Sequence, residues 1–426
     1  MEKIRTIYFQ RYFGYMIALS ILILGIYIYP TFNSINAWHE QRDYYYSEEF
    51  IQDFEQNPEW FARSYFVNID GEDEVILYDS IEDYRSDTLR IFYKSNNKYL
   101  ETFRETINDN STYYSRYNEI EVVEPQEYEL GATYYQNFHN DGSFIPILMV
   151  ALGFLLFFVD QKTNFNRLLF SLSEKRRKLF LGKLLYVALP IIGVTAIGIL
   201  SSILIQYMGI PAPYLNASLL QMVYSGFSQL IFSIFSLTIG IFFGTLLNNL
   251  VLAPLALITG GYFILYTGYS FYYGINNILT YFFPNIRMLT PTSLTRFDLG
   301  KTGTPLSGIL FWVVFSLLLL FLAEKIFNKI ALENEGDFVT NANLRRPTFL
   351  SLFIGSTIYL GIALFDLYSV LNMIQFNHLG LIDILKNFLI VTALVFTVSF
   401  SLVYHRSIIK WFQERRDSHL RQQMNR

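Results

Sequence analysis

The chain of 426 residues contains no cysteine, which excludes a disulfide framework and thiolate metal sites. Any part lying outside a membrane must therefore be held by its own core. Charge is scarce too: 16% of residues are charged against 52% apolar and 18% aromatic, which excludes an ordinary soluble globular chain. The five histidines, His39, His139, His378, His405 and His419, lack ligand spacing such as His-x3-His, so metal chemistry has no support. No nucleophile-elbow glycines single out a catalytic triad. Gly300-Lys301-Thr302 ends like a phosphate-binding loop, but the first glycine is missing because position 295 is Thr. ATP hydrolysis by this chain is rejected with it, and neither an enzyme nor a cofactor of its own is expected.

What the chain does have is long apolar runs. About 20 apolar residues cross a bilayer as a helix. Runs lie at Tyr12 to Tyr29 and at about 144 to 159, 184 to 208, 219 to 247, 250 to 272, 306 to 323, 349 to 371 and 381 to 404. These predict an all-α polytopic membrane protein with about eight transmembrane helices. The first run follows Lys3, Arg5 and Arg11 and resembles a secretory signal, yet it is longer than the roughly 7 to 15 residues of a signal core and lacks a small-residue cleavage site, so an uncleaved anchor is expected. Only Leu247-Asn248-Asn249-Leu250 separates the fourth run from the fifth, which predicts one tight turn.

Charge is distributed unevenly. Residues 34 to 143 hold 24 Asp and Glu against 8 Lys and Arg, a net −16 inside a chain of net −4, so the remainder carries +12. Lys and Arg near span ends mark the cytoplasmic side. Lys162, Arg167, Lys175 to Lys178 and Lys183, then Lys325, Lys329, Arg345 and Arg346, together with the basic tail, put both termini in the cytoplasm of a cell-membrane protein. The expected organisation is a cytoplasmic helix and first span at 1–33, an extracellular domain at 34–143, and a membrane domain at 144–326 with a cytoplasmic loop at 160–183. A cytoplasmic linker at 327–348, two further spans at 349–404 and a tail at 405–426 complete it. Ile81, Tyr84, Thr88, Leu89, Phe92, Tyr99, Leu100, Phe103 and Ile107 recur near a helical period, and Glu74 to Tyr78 reads as a strand. A small α/β or mostly helical extracellular domain between the first two helices follows. Its tyrosines, Tyr44, Tyr45 and Tyr46 among them, read chiefly as core and membrane-interface rings.

The cytoplasmic loop is the informative stretch. Arg167, Leu168, Leu169, Phe170, Ser171, Leu172, Ser173, Glu174, Lys175 and Arg176 give an apolar turn, a polar cap at Ser171 or Ser173, and a basic amphipathic segment entering the next span. The plain account is a positive-inside anchor. Leu168, Leu169, Ser171, Leu172, Arg176 and Lys183 also match the pattern by which the chain resembles the ABC-2 exporter permease family, with Ser173 at that family's proline and Lys175 at its serine. The span order over residues 1 to 326 is similar. The resemblance implies that this loop docks a separate ABC ATPase subunit, with ATP and Mg bound on that partner. It also implies pairing with a second permease copy or paralogue, and movement of a peptide, lipid-linked or drug-like substrate. Membrane lipids complete the partners, and no nucleic acid is expected.

Three further features stand out. Ser225, Gln229, Ser233, Ser236, Gly240 and Gly244 recur at steps of 3 and 4 and form one small, polar stripe, read as a helix-packing seam with a substrate path as the sharper alternative. Asp366 and Lys386 lie five residues inside facing ends of the last two runs and are expected to pair. In the tail, Ile408, Ile409, Trp411 and Phe412 alternate with Arg406, Lys410, Arg415 and Arg416, which suits an anionic lipid surface. A non-transporting sensor or immunity protein with a ligand-binding outer domain is the competing function.

Overall fold

The computed structural model describes residues 2–61, 64–67, 73–94, 134–136, 144–163, 165–215, 217–282, 306–330, 336–364 and 381–424. Helix α1 (Glu2–Tyr45) has 44 residues and is roughly 66 Å long at 1.5 Å per residue. It continues through Pro30, where the apolar run ends. Its far half stays helical because Ile35, Trp38 and Tyr45 find buried neighbours. After it come α2 (Glu48–Gln56) and α3 (Ile81–Thr88), capped by the side chains of Ser47 and Ser80, which accept from Phe50 N and Asp83 N.

Two antiparallel pairs flank α3: β1 (Ser64–Val67) with β2 (Asp73–Ile76), and β3 (Phe92–Lys94) with β4 (Tyr134–Gln136). The strand expected at 74 to 78 is thus displaced by one or two residues. The helical period read from Ile81 onward stops at Thr88, and Phe92 is on a strand; Tyr99, Leu100, Phe103 and Ile107 lie outside the described residues. Leu89 is the reason for the stop. It is fully buried, and its carbonyl accepts from Trp38 Nε1 at 2.8 Å, which turns the chain back onto α1. Phe50, Phe54, Phe61, Tyr45 and Tyr84 pack ring on ring at centroid distances of 4.9 to 6.1 Å. These rings therefore form a small core.

The remaining helices are α4 (Phe144–Lys162), α5 (Phe165–Ser171), α6 (Arg176–Lys183), α7 (Leu189–Gly209), α8 (Ala212–Leu215), α9 (Leu219–Leu246), α10 (Leu252–Phe282), α11 (Leu306–Asn328), α12 (Arg345–Leu364) and α13 (Leu381–Met424). Among the described residues, seven helical segments are long and apolar enough to cross a membrane, and the chain is a helical multi-pass membrane protein. The fifth predicted run lies on α10, a helix of 31 residues whose described apolar stretch is Leu252–Tyr262. Side chains such as Leu317, Leu389 and Leu394 are more than half exposed, as lipid-facing positions of such helices are.

Helix α9 is the central post. It packs on α4, α7 and α11, and its ridge against α4 is made of glycine. A Cβ on Gly240 would meet the backbone of Val150 and Phe154, one on Gly244 that of Phe154, and one on Gly153 that of Leu237. The two backbones touch, and dispersion between closely fitted helices is what holds such a seam in lipid. One apolar core joins α1, α4, α6, α7, α9 and the end of α11. A second gathers Phe154 and Phe158 of α4, the turn after α9, Phe338, Val339 and Val403 of α13.

Candidate functional site

The start of α1, the end of α4, α5, α6, the end of α11 and the turn after α9 meet at one end of the bundle, which is also rich in Lys and Arg. The predicted loop folds there as α5, four connecting residues and α6. Phe165, Asn166 and Leu169 are buried, and the Phe170 ring lies 5.6 Å from that of Phe327 and under Arg176 at 4.3 Å. Arg176 Nη1 donates to the carbonyls of Asn328 (3.0 Å) and Ile330 (2.9 Å), satisfying acceptors that the end of α11 cannot satisfy itself. Arg177 Nε pairs with Glu324 at 3.2 Å and Lys178 with Glu174 at 3.1 Å. Facing outward are Arg167, Leu168, Ser171, Ser173 and Lys175, with Leu168 54% exposed.

One expectation about this loop needs correction. Neither serine caps α6: its N-cap is Lys175, without a side-chain hydrogen bond, and Ser171 Oγ donates backward to Leu168 O at 2.8 Å. The basic segment enters the next span, as expected. α6 continues through a π turn at Leu184–Ala188 directly into α7.

Behind the loop lies a polar joint that the sequence pattern did not single out. Asp160 Oδ2 accepts from Lys183 Nζ and from the Tyr12 hydroxyl at 2.6 Å, and both Asp160 and Lys183 side chains are 1% exposed. Lys183 Nζ also stands 4.5 Å from the Phe157 ring centroid. Arg11 Nη2 donates to Thr163 Oγ1 at 2.8 Å and lies 3.8 Å from Asp160 Oδ1, while Tyr8 donates to Leu179 O at 3.0 Å. Helices α1, α4 and α6 are thus tied by one carboxylate. Gly182 permits the approach, since a Cβ there would press on Ile4. The available signal was Asp160 itself, a lone acid ending a Phe-rich apolar run, and such residues demand partners.

A second junction sits beside it. Asn248 N donates to Phe338 O at 2.8 Å and Thr340 N to Leu246 O at 2.9 Å, so residues 336 to 340 strap the turn between α9 and α10. Gly336 begins the strap at φ +91°, a conformation that suits glycine. Its carbonyl accepts from Asn249 Nδ2 at 2.9 Å, and His405 Nε2 lies 3.1 Å from the same nitrogen. Asp337 pairs with Arg345 and, at 3.6 Å, with Arg406. Lys162 donates to Asn248 Oδ1 at 2.9 Å.

The stripe residues Ser225, Ser233, Ser236, Gly240 and Gly244 are buried and Gln229 is half-buried. The hydroxyls of Ser233 and Ser236 each donate to the carbonyl four residues back, at 2.9 Å. Lys386 is exposed, whereas Asp366, its predicted partner, lies outside the described residues, as does Gly300-Lys301-Thr302. The tail continues α13 without a break to Met424, and Ile409, Trp411 and Phe412 are at least half exposed on it.

Comparison with protein-family models, with curated proteins and with solved structures finds no match to this chain.

Proposed function

We propose that this chain is the membrane-spanning permease subunit of an ATP-binding-cassette exporter, driven by a separate ATPase that docks on the segment Arg167 to Lys175. The single observation that supports this most is the division of labour within that segment. Leu169, Phe170 and Arg176 are spent on the chain's own packing, while Leu168, beside Arg167, Ser171, Ser173 and Lys175, is presented outward on a braced platform. An exposed leucine ringed by polar and cationic groups has the composition of a small docking surface. Lysine and arginine at this end support a cytoplasmic position for it and for both termini. The partner supplies ATP and Mg, and this chain supplies the path.

Purification of the tagged protein from its own cells tests the reading. An ATPase is expected to copurify, and Leu168→Asp is expected to lower its recovery at least tenfold without lowering the amount of the chain itself. Leu169 and Arg176 are poor sites for this test, because changing them disturbs the fold. Recovery of the chain with no ATPase, or undiminished recovery with Leu168→Asp, would sink the assignment.

A further inference from the structure

A docking platform does not by itself require the ion pair behind it. Apolar residues of similar volume would fasten α1, α4 and α6 as well or better, because burying charge is costly. Two features distinguish this pair. Lys183 is the last residue of α6, and the π turn Leu184–Ala188 follows it immediately. Such turns interrupt the regular ladder and are frequent at working positions in helices. The other feature is the uneven use of the carboxylate. Oδ2 takes both Lys183 and Tyr12, whereas Oδ1 is buried without a hydrogen bond. Arg11 stands 3.8 Å from Oδ1 while donating to Thr163 at 2.8 Å. Its guanidinium therefore has two acceptors within reach, and a shift of α1 by about 1 Å carries it from one to the other.

Helix α6 is gripped at both ends. Arg176 and Arg177 fix its start to α11, and Lys183 fixes its end to Asp160 and, through that carboxylate, to Tyr12 of α1. A rigid segment joined to an element with two discrete arrangements is the physical requirement for passing on a displacement. We infer that Lys183 and Asp160 are positioning residues that carry movement of the docking segment onto α1, with Arg11 passing from Thr163 to Asp160 as α1 shifts. This assignment rests on the docking reading above.

The absence of cysteine allows paired spin labels without background. Labels at Ser173→Cys and Leu255→Cys report the loop, and labels at Phe9→Cys and Leu255→Cys report α1. Distances are compared between nucleotide-free and ATP-bound states of the complex with the copurified ATPase. Both distances are expected to change in the parent chain. With Lys183→Met or the nearly isosteric Tyr12→Phe, the loop change should persist and the α1 change should fall at least twofold. Thr163→Val removes the resting acceptor of Arg11, so α1 should approach its ATP-bound distance without nucleotide. An α1 response equal to that of the parent in Tyr12→Phe, or an unmoved α1 in Thr163→Val, overturns the inference while leaving docking intact. A loop distance in the parent that ignores ATP overturns the docking reading.

Discussion

Two aspartates at the same end of the bundle each face two cations, and they do different work. Asp160 and Lys183 are both 1% exposed, and the groups meeting there come from α1, α4 and α6. Asp337 is 6% exposed, but its partners Arg345 and Arg406 are 28% and 56% exposed and keep much of their hydration. The first joint exists only when three helices have packed, and any loss strands a charge away from water. The second is a wet clasp on a strap already held by backbone hydrogen bonds at Leu246 and Asn248. The same pattern of charge is costly to break in one place and cheap in the other.

The largest expected effect follows from breaking the dry joint. Lys183→Met leaves Asp160 buried without its main partner, and removing one member of a buried pair costs about 3–5 kcal/mol. Thermal unfolding of the purified protein in detergent should record a large drop, and the double variant Asp160→Leu with Lys183→Met should recover most of it. Failure of the double variant to recover would mean that packing, not charge, decides this site. Tyr12→Phe is the next step down. It removes one hydrogen bond to a charged group, worth about 1.5–3 kcal/mol, and keeps the ring.

Asp337→Asn should be the mildest of the three, at about 0–1 kcal/mol, because exposed partners are already solvated. Salt sharpens the contrast. Raising NaCl from low to about 0.5 M should erase the Asp337→Asn difference by screening, while that of Lys183→Met persists. Equal salt sensitivity at both sites would break the comparison.

What was legible in the sequence and what was not divides along the same line. Apolar runs of about 20 residues declare a span from composition alone, so the membrane helices and the tight turn at Asn248-Asn249 could be read in advance. The glycine and serine spacing on α9 was visible for a similar reason, since steps of 3 and 4 fix a helical face whatever it touches. The loop at 167–176 was found by its charge, yet the roles within it were not. Whether Leu168 or Leu169 faces outward, and whether Arg176 reaches a partner or the end of α11, depends on an element about 150 residues away. Asp160 escaped notice because its meaning lies in Lys183 and Tyr12, and no local pattern joins those three. Tertiary polar contacts join residues at arbitrary separation, whereas hydrophobic periodicity is written locally.

The most direct measurement on the central claim is the accessibility of one residue. Leu168→Cys gives the chain a single thiol on the presented face of the proposed docking segment. In membranes carrying the ATPase that the proposed function expects, a membrane-impermeant maleimide should label it only from the cytoplasmic side. Labelling should rise several-fold once the ATPase is stripped away. Labelling from outside intact cells, or a rate indifferent to the ATPase, would contradict the account.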